Sequence, residues 1–391
     1  MPAYKQPETF SASPLGFMHK FANLLANTLT NKESFAAYFE PFIQLFKPEW
    51  RYQQLAAKVI SKRNENNKIY TLTLKPSASW SGFKAGQFVL FSIEINGRLL
   101  TRTFSISSAP AEFEQSGLIE LSICEQDQGA VTPWLKAELN TGDFVYLSQA
   151  MGDFCLNLQD KKVFIAAGSG ITPIRSMLKQ AKNEAWLKDA HLFFYQRNPE
   201  ETIFLDDLAA LKQARLNIHL LYTELDGHFS LEHLKTGLKL EQTPDATFFN
   251  HTEAYICGPG KMIASCREQL NQAGLADSNI HYEYFGRAPS SRSLTESLAA
   301  DADEFIQVDY LDSNKQVQFT SGTVSKTLLE LAEEQGLKPV SGCRMGICHQ
   351  CICHKKQGRV FNTKTGEISD SGPEAIQLCL SVPVGSVELE L

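Results

Sequence analysis

The chain has 391 residues, 43% of them hydrophobic, with 37 Lys+Arg against 44 Asp+Glu and a formal net charge of −7. That length predicts two or three domains that each bury a core, and the ordinary composition excludes disordered, collagen-like and fibrous classes. The mildly acidic balance argues against nucleic acid as a partner, and no run approaches the roughly 18 apolar residues of a spanning helix. The N-terminus lacks the features of a secretory signal, so a cytoplasmic location is expected. Nine cysteines, an odd number with three inside nine residues, suit metal or cluster ligation better than a disulfide framework.

Residues 1–50 read as a helical N-terminal extension, rich in Phe, with helices near 15–29 and 33–46. Only Lys20 is charged between Leu15 and Leu29. Packing on a neighbouring domain is the simpler reading of such a stripe. Peripheral contact with the inner face of the membrane, or with a membrane-bound acceptor, is the alternative. Residues 51–158 carry strand after strand: Leu55–Ser61, Ile69–Leu74, Gln87–Ile95, Leu99–Ile106, Leu118–Cys124 and Phe144–Leu147, with one helix at about 132–138. A closed antiparallel β-barrel is the natural solution. Residues 159–285 alternate strand and helix, with strands at Val163–Ala167, Leu192–Tyr195, Ile218–Tyr222, Ala254–Cys257 and His281–Tyr284, which predicts an α/β domain with a parallel sheet. A polar linker, 286–302, leads to 303–391, where short strands, one helix near Lys326–Glu334 and a Cys-rich loop are expected.

Cys343, Cys348, Cys351 and Cys379 give C-x4-C-x2-C followed at a distance by a fourth Cys, the plant-type ligand spacing of a [2Fe–2S] cluster. Four thiolates must converge on two irons, and one tight loop with Gly342 and Gly346 supplies three of them. Zinc is the competing metal, but structural zinc asks for two C-x2-4-C pairs and only one exists here. Cys353 reads as packed, and Cys124, Cys155 and Cys266 as structural.

Arg102-Thr103-Phe104-Ser105 closes a barrel strand with a cation for a pyrophosphate, an aromatic for a flat ring and a hydroxyl for a ring nitrogen. Gly129-Ala130-Val131-Thr132 opens the barrel helix, whose N-terminal amides suit the same pyrophosphate, with Thr132 as N-cap and Pro133 first in the helix. Gly168-Ser169-Gly170-Ile171-Thr172-Pro173 follows an apolar strand and precedes a helix, with Thr172 expected to cap and Pro173 to start it. Cys257-Gly258-Pro259-Gly260 repeats that arrangement, so both turns lie at carboxyl ends of parallel strands, where open α/β sheets bind ligands.

In this order, with Glu283-Tyr284-Phe285 of HYEYF, these motifs resemble the ferredoxin–NADP reductase superfamily with a fused plant-type ferredoxin of β-grasp, α+β fold. The segments KPEWRYQQLAAKV, LSQAMGDF and CGPGKMIASCREQLNQAGL are similar to the electron-transfer reductases of bacterial acyl-CoA or acyl-lipid desaturases. The resemblance implies FAD in the barrel domain, held by Arg102, Thr103, Phe104, Ser105, Val131 and Thr132. It implies NAD(P)H in the α/β domain, held by Gly168, Gly170, Thr172 and Pro173. Ser105, Cys257 and Glu283 would lie at the reacting rings, with Phe285 near the flavin.

One position departs from the pattern of NADP-selective relatives: Thr223-Glu224 stands where Ser/Thr-Arg is usual. A carboxylate there would repel a 2′-phosphate, so NADH is expected to be used at least comparably to NADPH, with Arg197 as an alternative phosphate contact. A nicotinamide gives hydride and a cluster takes single electrons, and a flavin mediates between them. The chain itself has no H-x-x-x-H box of a di-iron desaturase. The expected acceptor is a membrane fatty-acid desaturase. A soluble oxygenase is the alternative, and a redox-sensing module without turnover is a reading of another class.

Overall fold

The computed structural model describes residues 54–285 and 305–391, apart from 128, 158–160, 241, 243–247, 250, 321–325, 343, 345, 347 and 348. The 1–50 extension, the 286–302 linker, Cys343 and Cys348 therefore lie outside the described residues.

The first sheet contains β1 (Leu55–Asn64), β2 (Ile69–Pro76), β3 (Phe88–Ile95), β4 (Arg98–Ser105), β5 (Ile119–Cys124) and β6 (Phe144–Leu147). They run antiparallel in the order β4-β3-β6-β1-β2-β5. An Ile106–Leu121 bridge joins the two edges and closes the barrel. Alternating side chains fill its interior, where Val59, Leu72, Phe91, Ile106, Leu121 and Val145 are all buried. Two helices interrupt the strands rather than the one expected. The additional one, α1 (Pro110–Ser116), buries none of its residues, so it carries no apolar stripe to read. It starts because Pro110 fits the first turn and Glu112 accepts from the Ala109 N–H at 2.8 Å.

The second barrel helix, α2 (Thr132–Ala137), begins one residue earlier than the caps suggested. Val131 is its N-cap and Pro133 its second residue. The Thr132 hydroxyl instead accepts from the Gln126 N–H at 2.9 Å, tying down the preceding loop. Lys62 Nζ closes the other end, donating to the carbonyls of Lys136 and Leu139, each at 2.7 Å.

The second sheet is parallel throughout: β7 (Lys161–Ala167), β8 (His191–Gln196), β9 (Asn217–Tyr222), β10 (Thr252–Gly258) and β11 (Ile280–Tyr284), in the order β11-β10-β7-β8-β9. Helices α3 (Ile171–Gln180), α4 (Leu205–Gln213), α5 (Leu231–Leu238) and α6 (Gly260–Gln272) intervene. Apolar clusters on both faces, one around Phe164 and Ile174 and another around Phe193 and Ile263, explain why β7 and β10 read as nearly continuous apolar runs.

Barrel and second sheet are locked together through α3. Arg175, 4% exposed, pairs with Glu120 of β5 at 2.7 Å and with Asp207 of α4 at 2.6 Å. It also donates to the Ser107 carbonyl, while Ser176 Oγ donates to that of Ser108 at 2.6 Å. Charge-assisted bonds of this kind fix geometry as well as energy.

The third unit has a five-stranded sheet, β13-β12-β18-β14-β16, from β12 (Phe305–Tyr310), β13 (Lys315–Thr320), β14 (Ile352–Gln357), β16 (Glu374–Gln377) and β18 (Val387–Leu389). The pair β15 (Val360–Asn362) and β17 (Ser381–Pro383) forms a second small sheet, and α7 (Leu328–Glu334) packs its apolar side into the core. The hairpin β12–β13, with β18 parallel to β12, gives the β-grasp arrangement expected. Among the described residues no helix is long and apolar enough to cross a membrane.

Candidate functional site

A cavity of about 1070 Å³ opens where the three units meet. Arg102, Thr103, Phe104 and Ser105 line it from the barrel, Gly168, Gln196, Glu283 and Phe285 from the parallel sheet, and Arg344 and Cys379 from the third unit. Two buried polar atoms on this wall, Thr103 Oγ1 and Gln196 Nε2, have no hydrogen-bond partner among the described residues. Burial without a partner costs about 1–3 kcal/mol for each group, so such atoms mark places where a ligand supplies the missing bond. The wall thus fits a polar, ring-bearing cofactor on its own chemistry.

At the barrel end, Arg102 donates to the neighbouring Thr101 carbonyl at 2.7 Å. Phe104 meets Phe91 edge to face, with centroids 5.5 Å apart, which holds the ring at the cavity wall. Val131 and Thr132 also line the cavity, beside Gly129. These groups could hold the pyrophosphate and ring of FAD.

At the parallel-sheet end, the turn after β7 begins with a 3-10 turn, Gly168–Gly170, and α3 starts at Ile171. Thr172 does not cap: its hydroxyl donates to the Ser169 carbonyl at 3.0 Å, and both Thr172 and Pro173 are buried in the first helical turn, off the cavity wall. The two glycines do different work. Gly168 has φ +54° with open space beside it, whereas a Cβ on Gly170 would lie 2.3 Å from the Cys257 carbonyl oxygen. Gly170 is therefore small so that the two Gly turns can touch, and Gly168 so that the backbone faces the cavity.

Cys257 and Glu283 are register partners on β10 and β11. Cys257 is wholly buried and off the cavity wall; burial first, then the Glu283 charge, raise its thiol well above the ordinary value, leaving it neutral. Glu283 faces the cavity and accepts from Ser105 Oγ at 3.2 Å. Burial raises its carboxyl to about 7, against the Ser105 hydrogen bond, which lowers it. A carboxyl so placed holds or releases a proton near neutral pH.

Of the four cysteines expected to hold the cluster, Cys351 and Cys379 are described, both buried, and of these two Cys379 reaches the cavity. The Leu378 N–H donates to the Cys351 carbonyl at 3.0 Å, bringing the two segments side by side. Gly346, at φ +69°, lets the loop pass Leu380, whose Cδ1 a Cβ would meet at 2.1 Å. Gln377 Nε2 pins the loop by donating to the Gly346 carbonyl at 3.1 Å. Cys353 is buried in β14, as expected of a packed residue, but Cys124 lies on the cavity wall.

Arg197 and Thr223 line the cavity; Glu224 does not, and Asn198 Nδ2 stands 3.5 Å from its carboxylate. Sequence reasoning passed over Gln196, His228, Lys261 and Arg344 on the wall. A usable signal existed for three of them: Gln196 ends a strand, Lys261 follows the second Gly turn, and Arg344 sits inside the cysteine loop.

Three family profiles match the chain: an oxidoreductase FAD-binding domain over residues 55–155, an oxidoreductase NAD-binding domain over 164–268, and a 2Fe–2S iron–sulfur cluster binding domain over 311–384. An NADPH oxidoreductase of Mycobacterium tuberculosis is 26% identical, over 90% of this chain and 88% of its own. The stachydrine N-demethylase reductase subunit of Rhizobium meliloti is 27% identical, over 85% of this chain and 95% of its own. In fold, the chain is similar to phthalate dioxygenase reductase, with a TM-score of 0.58 and 20% identity over 86% of this chain and 98% of that one. By its folds and these matches, the chain is an oxidoreductase in which an FAD-binding domain and an NAD-binding domain are joined to a 2Fe–2S iron–sulfur cluster binding domain.

Proposed function

We propose that the chain is the reductase component of an oxygenase, passing electrons from NAD(P)H through FAD to a [2Fe–2S] cluster and on to a separate oxygenase. The observation that carries this reading is the shared cavity, whose wall includes the Arg102–Ser105 strand end, Gly168 with Glu283, and Cys379. Cys343, Cys348, Cys351 and Cys379 are the proposed cluster ligands. When bound, the flavin takes hydride from the nicotinamide and releases electrons singly.

The chain's own residues position and balance charge. Arg102 neutralises the flavin phosphates, Phe104 supports the ring, and Ser105 with Glu283 forms a hydrogen-bonded pair at the reacting end that can hold a proton. The turn after β7 receives the dinucleotide phosphates at Gly168. Thr172 and Pro173 support that turn from beneath, and Cys257 supports it through the contact with Gly170.

The choice of acceptor rests on the relatives. The chain is also 26% identical, over 79% of its length and 87% of the relative's, to the glycine betaine monooxygenase reductase subunit of Chromohalobacter salexigens, whose name favours an oxygenase over the desaturase suggested by the leader and local phrases. The test is acceptor-dependent NAD(P)H oxidation by the purified holoprotein. A soluble oxygenase component should support substrate-dependent oxygen uptake, while desaturase-containing membranes should not. Turnover with the membranes alone would overturn the acceptor assignment.

A further inference from the structure

We propose that Arg344, carried by the iron–sulfur domain, is a second cation for the phosphate end of the flavin, so that the ferredoxin domain helps to hold FAD. The inference rests on the reading above that FAD occupies the cavity.

Two arginines from different domains converge on one cavity wall: Arg102 at the end of β4 and Arg344 inside the cysteine loop. Like charges brought together repel, and such an arrangement is stable where an anion lies between them. Arg102 has no carboxylate bonded to it among the described residues; its guanidinium donates to the adjacent Thr101 carbonyl. Burial first, then the nearby Arg344 charge, push the Arg102 guanidinium below its ordinary value, and the Glu333 carboxylate, already bonded to Arg344, offsets this only in part. Beside them, Thr103 Oγ1 is buried and unpartnered on the same wall.

Arg344 is held for this task. Its backbone sits at φ +58°, a left-handed conformation uncommon for a residue with a side chain. Its guanidinium bonds Glu333 of α7 through both terminal nitrogens, Nη1 to Oε2 at 3.0 Å and Nη2 to Oε1. Glu333 thereby orients the fork and also competes for it. Glu330, also on α7 and on the cavity wall, already accepts from the Thr327 N–H at 2.9 Å. A phosphate has the geometry to take one edge of a guanidinium fork while a carboxylate keeps another.

The experiment compares flavin dissociation constants, read by fluorescence, on the deflavinated full chain with its cluster intact. Arg344→Ala should weaken FAD about tenfold and leave riboflavin, which has no phosphate, unchanged; Arg344→Lys should recover most of the loss. Because Arg344 adjoins Cys343, cluster absorbance is followed in parallel. Glu333→Gln provides an independent arm: releasing the fork should tighten FAD several-fold. Weakening by Glu333→Gln, or FAD binding by Arg344→Ala equal to wild type, would overturn the proposal. So would equal loss of FAD and riboflavin, which would mean packing rather than phosphate contact. If Arg102→Ala also bound FAD normally, the placement of the flavin itself would fail.

Discussion

Ser105 and Glu283, 178 residues apart, meet across the seam between barrel and parallel sheet, Oγ to Oε2 at 3.2 Å. The contact exists because Arg175 fastens the two units, bonding Glu120 on one side and Asp207 on the other. The hydrogen bond opposes the burial that raises the Glu283 carboxyl.

The pH dependence follows from the sign of that shift. Glu283 titrates at about 7 in the folded chain, above its ordinary 4.5, because burial disfavours the charge. Between those values the folded state keeps a proton that the unfolded state has released, so stability falls as pH rises through the window. At full extent the loss is on the order of 3 kcal/mol. Urea unfolding of deflavinated protein should therefore show wild type losing ground to Glu283→Gln from pH 4.5 to 7, then a constant gap. Ser105→Ala removes the group that lowers the carboxyl and should move the upper limit to higher pH. A gap that does not vary with pH would mean that Glu283 is ionised throughout.

The two glycines of the nucleotide turn should separate stability from binding. Gly170→Ala forces a Cβ to 2.3 Å from the Cys257 carbonyl oxygen, a backbone atom that cannot swing aside. Overpacking of this sort costs about 1–3 kcal/mol, so its Tm should fall by several degrees. Gly168→Ala meets nothing within 4 Å and incurs only the strain of φ +54°, about 1–2 kcal/mol. Its main effect should be on NAD(P)H affinity, since the added methyl faces the cavity. Equal Tm losses with unchanged nucleotide binding would argue against these roles.

The folds were legible because each strand set has its own pattern. Alternation marks the barrel strands, and apolar runs such as Val163–Ala166 mark strands buried on both faces. The cysteine spacing and the Arg102–Ser105 motif are local, so they too can be read from a line of letters. What stayed hidden depends on docking. That Glu283 would find Ser105, that Arg344 would line the same cavity as Arg102, and that Cys257 would be sealed beneath Gly170 are consequences of three sheets meeting. The Thr132 and Thr172 caps failed for a smaller reason: each hydroxyl had another partner, at Gln126 and Ser169, that only the folded loop supplies.

Nucleotide choice should follow Arg197 rather than Glu224. Arg197 lies on the cavity wall with its side chain 67% exposed and only a loose 3.8 Å pairing to Glu201. Glu224 is not among the residues that line the cavity, and its carboxylate lies 3.5 Å from Asn198 Nδ2. Arg197→Ala should lower kcat/KM for NADPH about tenfold while NADH changes little. Glu224→Gln should alter neither by more than about twofold. A large gain in NADPH use by Glu224→Gln would show instead that this carboxylate faces the 2′-phosphate.

Replacing Cys379 tests the order of the redox centres. It is 6% exposed and belongs both to the wall of the cavity proposed for the flavin and to the proposed ligand set. An alkoxide is a harder, more basic ligand than a thiolate, so Cys379→Ser should lose the [2Fe–2S] absorbance or shift its potential. The Ser105–Glu283 pair and the Arg175 junction join the barrel to the parallel sheet and involve no residue of the third unit. Hydride transfer from NAD(P)H to FAD should therefore persist, and ferricyanide, which takes electrons from flavin, should still be reduced. The physiological acceptor should not be, because its electrons must cross the cluster. Arg102→Ala should give the opposite pattern, with flavin affinity lost and the cluster spectrum retained. If Cys379→Ser abolished flavin reduction in protein that kept its FAD and its fold, the serial path from nicotinamide to flavin to cluster would be untenable.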